Sequence, residues 1–221
     1  MSNEASDTIL SATCVGATGG RGMLLVVSSP SGGGKGTLIR RVLKTVPDLG
    51  YSVSYTTREP REGEINGRDY FFVSLDVFKA MESEGEFLEW APVHGHFYGT
   101  SCSQVERDLS EGRDIILEID VQGAQSVRSI APSSVTVFIL PPSFEVLRER
   151  LIARGTEGLE DLALRLRNAR AEVEHYSEFS YVIINDDADR AAAQLASIIY
   201  AERARRERQE RAAIGVLATF S

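Results

Sequence analysis

A layered α/β fold, with a parallel sheet core flanked by helices, is predicted by three features of this 221-residue chain. Short, almost continuously apolar runs recur at Met23-Leu24-Leu25-Val26-Val27, Asp114 to Asp120, Val135 to Leu140 and Tyr181 to Asn185. Helix-like sequence separates them, which is the pattern of parallel strands covered on both faces. The first run passes through Ser29-Pro30-Ser31-Gly32-Gly33-Gly34-Lys35-Gly36-Thr37 into the helix-like Leu38 to Leu43.

A buried strand that turns through a glycine-rich loop into a helix is the arrangement that holds nucleotide phosphates, and it makes the core a P-loop NTPase-type sheet. Successive glycines let neighbouring amide N–H groups face one anion. Lys35 adds a mobile positive charge, and the helix start adds unsatisfied N–H groups. Ser29 stands where a first glycine is usual in this pattern, and Gly36 where a magnesium-binding hydroxyl is usual. Thr37, one position later, either supplies that hydroxyl or caps the helix. Lys35-Gly36-Thr37 resembles the loop ending of adenylate kinases, which points to a nucleoside monophosphate kinase rather than a GTPase.

Between Leu49 and Tyr98 the pattern changes to polar and aromatic alternation, with turn signals at Glu59-Pro60 and Asn66-Gly67. An inserted, partly antiparallel subdomain is expected there, over about 51–104. Ser74 is placed to cap a short helix from Leu75 to Met81, before the strand-like Phe87-Leu88-Glu89-Trp90. Gly155-Thr156-Glu157-Gly158 breaks two helical stretches and marks a short lid at about 150–168. Glu202 to Arg211 alternates charge at helical spacing, as a solvated helix face does. The expected division is a tail over 1–22, one domain over 23–210 and a C-terminal tail over 211–221.

Composition narrows the function classes. A formal net charge of -8 disfavours a broad nucleic-acid surface, so free nucleotides suit the chain better than polymers. No run reaches the apolar length of a membrane span. Glu4 and Asp7 stand where a secretory signal carries positive charge, so the chain reads as cytoplasmic. Cys14 and Cys102 are the only cysteines, and with one in the tail neither a disulfide nor a metal site is expected. His94, His96 and His175 form no metal-ligand pattern with them.

A second phosphate site is readable between Tyr51 and Tyr70. Arg58 and Arg61 flank the stiff Pro60, with Ser54, Thr56, Thr57 and Tyr70 nearby. Guanidinium forks match phosphate oxygens and hydroxyls fill the remaining acceptors. A polar surface loop with scattered ion pairs is the competing reading of this segment.

Ser54-Tyr55-Thr56-Thr57-Arg58-Glu59-Pro60-Arg61-Glu62-Gly63-Glu64, followed by Asn66-Gly67-Arg68-Asp69-Tyr70, closely resembles the signature of guanylate kinases. So do Phe87 to Ala91, Tyr98-Gly99-Thr100, Leu117 to Gly123, Arg150 through Thr156, and Asn185-Asp186-Asp187, all in family order. The resemblance implies that Ser54, Arg58, Arg61 and Tyr70 hold the GMP phosphate, with Tyr98 closing over it. It implies that Glu89 reads the base and that Thr100 donates to guanine O6. A carboxylate is an acceptor-only pair suited to the adjacent guanine N1–H and amine donors, whereas adenine offers an acceptor at N1. Glu118 and Asp120 share a strand face beside the substrates, though Asp120 is equally placed to cap the following helix.

By the same resemblance, Arg150, Arg154 and Arg165 lie over the ATP phosphates and the transferring group, and Asn185 lies near the adenine end. Salt bridges to Glu145, Glu149 and Glu157 are the structural alternative for these arginines. The implied reaction is ATP plus GMP giving ADP plus GDP, with Mg²⁺ on the ATP phosphates and Thr37 as its candidate ligand. Lys35 and the arginines would supply the positive charge that phosphoryl transfer needs. Two other readings stay open on sequence: a catalytically silent guanylate-kinase-like domain that binds protein ligands, and a kinase for another nucleoside monophosphate.

Overall fold

The computed structural model describes residues 22–93, 95–153 and 159–220. In chain order, β1 (Leu24–Ser28) leads through the glycine loop into α1 (Lys35–Thr45) and β2 (Leu49–Tyr51). Then come β3 (Tyr55–Thr56), β4 (Phe71–Phe72), α2 (Leu75–Ser83), β5 (Phe87–Val93), β6 (His96–Ser101) and α3 (Cys102–Ser110). The chain continues as β7 (Asp114–Glu118), α4 (Val121–Ile130), β8 (Val135–Leu140), α5 (Phe144–Ala153) and α6 (Leu159–Glu174). It ends with β9 (Tyr181–Ile184), α7 (Ala188–Arg203) and α8 (Arg206–Leu217).

The core is a five-stranded sheet ordered β2-β7-β1-β8-β9, parallel throughout. The four apolar runs of the sequence form β1, β7, β8 and β9. β2 gave no such signal, because its three residues include Gly50 and it lies at the sheet edge. Alternation along β1 sends side chains to two cores. Leu24 and Val26 pack with Ile115, Leu117 and Phe138 against α3 and α4. Met23, Leu25 and Val27 pack with Ile116, Val137 and Ile139 against α1 and α7. Helices therefore cover both faces, and burial of these aliphatic side chains contributes about 1.5–3 kcal/mol each.

The inserted segment forms a separate four-stranded mixed sheet, ordered β4-β3-β6-β5. β3 pairs in parallel with β4 and antiparallel with β6, and β5 pairs antiparallel with β6. Its aromatic residues form the packing core: Phe78 stacks on Phe87 with ring centroids 4.5 Å apart, and Tyr55 stacks on Phe71 at 4.7 Å. Ser74 caps α2 by accepting the Val77 N–H at 3.3 Å, and the helix runs two residues further than its pattern suggested.

Two other expectations change. The 211–221 stretch contains the end of α8 and a 3-10 turn over Ala218–Phe220. Cys102 at the start of α3 is disulfide-bonded, correcting the expectation of no disulfide, since cysteine count and spacing carry no information about approach in space. Cys14, His94 and the break at Gly155 to Gly158 lie outside the described residues. Among the described residues no helix is long and apolar enough to cross a membrane.

Asp114 joins the ends of this core. Its Oδ1 accepts the Met23 N–H at 2.6 Å, and its Oδ2 accepts from Arg203 Nε at 2.6 Å. Asp114→Ala would leave a buried amide and a guanidinium without that partner, and should lower unfolding free energy by about 2–3 kcal/mol. Urea unfolding checks this, with the midpoint falling at unchanged m value.

Candidate active site

The phosphate loop leaves β1 at the C-terminal end of the parallel sheet, where open α/β sheets bind ligands. Gly34 precedes α1 in the left-handed region, at φ 94°, so the helix has no side-chain cap and its first N–H groups stay available. The loop is braced from outside. Asn185, just after β9, donates through Nδ2 to the Gly33 carbonyl at 2.9 Å. Arg150 on α5 donates to the Asn185 carbonyl at 2.8 Å. A Cβ on Gly34 would run into Asn185 Nδ2. Asn185 and Arg150 thus brace the loop through hydrogen bonds.

In front of the loop, two connected clefts meet. One is lined by Ser29, Ser31 and Lys35 of the loop, by Glu118 at the end of β7 and Asp120 just beyond it, and by Ser54, Arg61, Tyr70, Glu89 and Tyr98 of the inserted segment. Arg165 and Glu172 of α6 complete its wall. The other continues along the loop past Pro30, Gly32, Gly34, Gly36 and Thr37 to Arg61, Tyr70 and Glu118. The structure therefore brings Ser54, Arg61 and Tyr70 of the second site onto one continuous surface with the loop. Arg154 lies outside the described residues.

Gly36 has a steric reason. A Cβ there would come 3.1 and 3.3 Å from the two Glu118 carboxylate oxygens. The hydroxyl residue usual at this position would crowd Glu118, so glycine keeps that carboxylate against the start of α1. Glu118 also accepts from the Tyr51 hydroxyl at 3.2 Å. Burial, with the Glu118 charge second, pushes the Tyr51 hydroxyl pKa up and keeps it a donor.

Arg58 is held more tightly than a ligand-seeking side chain. Its Nη2 reaches both Glu64 oxygens, at 2.9 and 3.0 Å, and its guanidinium lies over the Tyr70 ring, 5.3 Å from the centroid. Burial opposes the Glu64 charge, but hydrogen bonds from Arg58 and the Arg61 N–H hold this carboxyl below its ordinary range. Arg58 Nε is buried without a partner. Tyr70 packs edge-on against Tyr98, and burial together with Glu118 pushes its hydroxyl up to about 12.

Glu89 is 4% exposed, and its Oε1 accepts from the Thr100 hydroxyl at 2.5 Å. Burial pushes the Glu89 carboxyl up to about 7, against the pull of the Thr100 hydrogen bond and with some help from Asp120. Asp120 also caps α4 by accepting the Gly123 N–H at 2.8 Å. A Cβ on Gly123 would come 2.6 Å from Glu89 Oε2. Sequence reasoning assigned no role to Gly123, Glu64, Tyr51 or Glu172. The first two lie in stretches that carried the family resemblance, whereas nothing local marks Tyr51 or Glu172.

A parallel core ending in a glycine-rich phosphate loop, with an inserted sheet facing it, defines the P-loop kinase class. A family model described as Guanylate kinase matches residues 21–202. A guanylate kinase of Caldanaerobacter subterraneus subsp. tengcongensis is 47% identical over 190 residues, covering 86% of this chain and 92% of that relative. One from Rhizobium meliloti is 49% identical over 190 residues, covering 86% and 87%. The crystal structure of guanylate kinase from Anaplasma phagocytophilum has a TM-score of 0.73 at 35% identity, covering 86% of this chain and 91% of that one. The chain belongs to the guanylate kinase family.

The raised Glu89 carboxyl carries a stability cost. Because the folded value lies above the unfolded one, the stability it contributes is present below the unfolded pKa and is lost as pH rises from about 4.5 through about 7. Glu89→Gln removes that cost. The variant should be more stable than the parent by roughly 2–3 kcal/mol at pH 8, with the difference vanishing near pH 4. Thermal unfolding across this range is the measurement.

Proposed function

We propose that this chain transfers the terminal phosphoryl group of ATP to GMP, giving ADP and GDP. The observation that carries the reading is that the phosphate loop and the arginine and tyrosine wall open onto one cleft lined by a buried carboxylate, Glu89. An oxygen of the GMP phosphate attacks the γ-phosphorus, and the bond to the oxygen bridging the β- and γ-phosphates breaks in line with it. The acceptor oxygen is already anionic near neutral pH, so no side chain has to act as base. Alignment of two mutually repelling anions is what the protein must supply.

The residues present fit a polyphosphate. Gly34 leaves the helix start uncapped, and Arg150 Nη1 is buried without a partner within 3.9 Å of a Cβ built on Gly34. The Ser31 N–H is taken by the Glu172 carboxylate, which leaves the other loop amides for phosphate. Lys35 and the loop amides would bind the ATP phosphates, and Arg165 would face the group in transit. Thr37 and Glu118 are oxygen donors on the same cleft and would hold Mg²⁺ there. That ion supplies charge neutralisation on the phosphate oxygens.

On the acceptor side, Ser54, Arg61, Tyr70 and Tyr98 would take the GMP phosphate, and the unpartnered Arg58 Nε is available to the same anion. Glu89 would accept from guanine N1–H and the amine. Thr100 and Gly123 hold and make room for that carboxylate. Adenine would leave it facing an acceptor, a mismatch that buried sites reject strongly.

Lys35→Ala should lower kcat by about 10²-fold or more while leaving thermal stability unchanged, because the lysine acts on substrate. Wild-type turnover in a coupled ADP assay would overturn the assignment. The GMP KM should rise about tenfold per pH unit below pH 7, as Glu89 takes up a proton and loses an acceptor oxygen. That component should disappear in Glu89→Gln, which separates it from titration of the GMP phosphate itself.

A further inference from the structure

Glu172 touches the phosphate loop across 141 positions of sequence: its Oε2 accepts the Ser31 N–H at 3.0 Å. It sits in the cleft together with Arg165. The two are seven residues apart on α6, two helical turns, and so share one face. The neighbouring face packs α6 onto α5, with Ala169 fully buried and Leu162 and Leu166 against Leu147 and Leu151. Leu147 and Leu151 in turn lie under the loop, since a Cβ on Gly32 would come 2.9 Å from Leu147 Cδ1.

Apolar packing is non-directional and leaves the roll of α6 about its axis only loosely determined. A charge-assisted hydrogen bond to a backbone amide is directional and roughly twice as strong as a neutral one. A carboxylate in a cleft that admits phosphates also carries an electrostatic cost, which this contact offsets. We infer that Glu172 is a positioning residue: by holding the Ser31 N–H it sets the orientation of α6 on the phosphate loop and so aims Arg165 into the cleft. The inference rests on the kinase reading of the same site.

The test compares Glu172→Ala, Glu172→Gln, Arg165→Ala and the Glu172→Ala/Arg165→Ala double variant, with kcat, both KM values and hydrogen exchange at the Ser31 amide. Glu172→Ala should lower kcat by about 10- to 100-fold at unchanged GMP KM, the scale of a misplaced catalytic group. Its Ser31 amide should exchange faster than in the parent. Glu172→Gln should recover most of the loss, because its amide oxygen still accepts. The double variant should be no slower than Arg165→Ala alone, because the two changes remove one function. Turnover of Glu172→Ala equal to the parent, losses that multiply in the double variant, or no recovery in Glu172→Gln would each overturn the inference. A parent protein inactive with ATP and GMP would instead overturn the proposed function, and Ser31 exchange would still judge the contact.

Discussion

Everything at this site depends on a short loop whose amides must stay turned toward an anion rather than toward each other. Left alone, a glycine-rich segment gains more by moving than by holding that shape, because glycine loses the most conformational freedom on ordering. The fold holds it from behind. β1 pins its start within the parallel sheet, α1 pins its end, and Asn185 takes the Gly33 carbonyl. Leu147 and Leu151 fill the space beneath Gly32.

The second constraint is electrostatic. The chain carries a formal net charge of -8, yet its cleft must accept two phosphorylated molecules. Positive groups are therefore concentrated and managed. Arg58 is neutralised and aligned by Glu64 with its Nε left over, while Arg61 and Lys35 face the open cleft. Carboxylates are placed with equal care: Glu118 is fixed by the Tyr51 hydroxyl and by the absence of a side chain at Gly36, and Glu89 is buried with one hydroxyl partner. Such arrangements cost stability in the isolated fold and acquire their use when a substrate supplies the missing partners.

Much of the architecture was legible in the sequence because each signal was local. Apolar runs of five to seven residues marked β1, β7, β8 and β9, and Ser74 marked the start of α2. β2 was not legible, since a three-residue edge strand containing glycine has no periodicity to read. The loop and the Arg58-to-Tyr70 stretch announced phosphate chemistry through residue type and order. Their partners did not. Glu172 is an ordinary acidic residue on a charged helix until it is seen against Ser31, and nothing local pairs the Thr100 hydroxyl with Glu89.

The sequence by itself determined the alternation of strands and helices, the phosphate loop, and the family to which the chain belongs. These are properties of neighbouring residues: side-chain periodicity, glycine torsions and the order of charged groups along the chain. Only the tertiary structure decided which carboxylate restrains which cation, why position 36 is glycine, and how α6 meets the loop. Those outcomes join residues tens to more than a hundred positions apart. They are decided by packing and by desolvation of the paired charges, neither of which a one-dimensional pattern records.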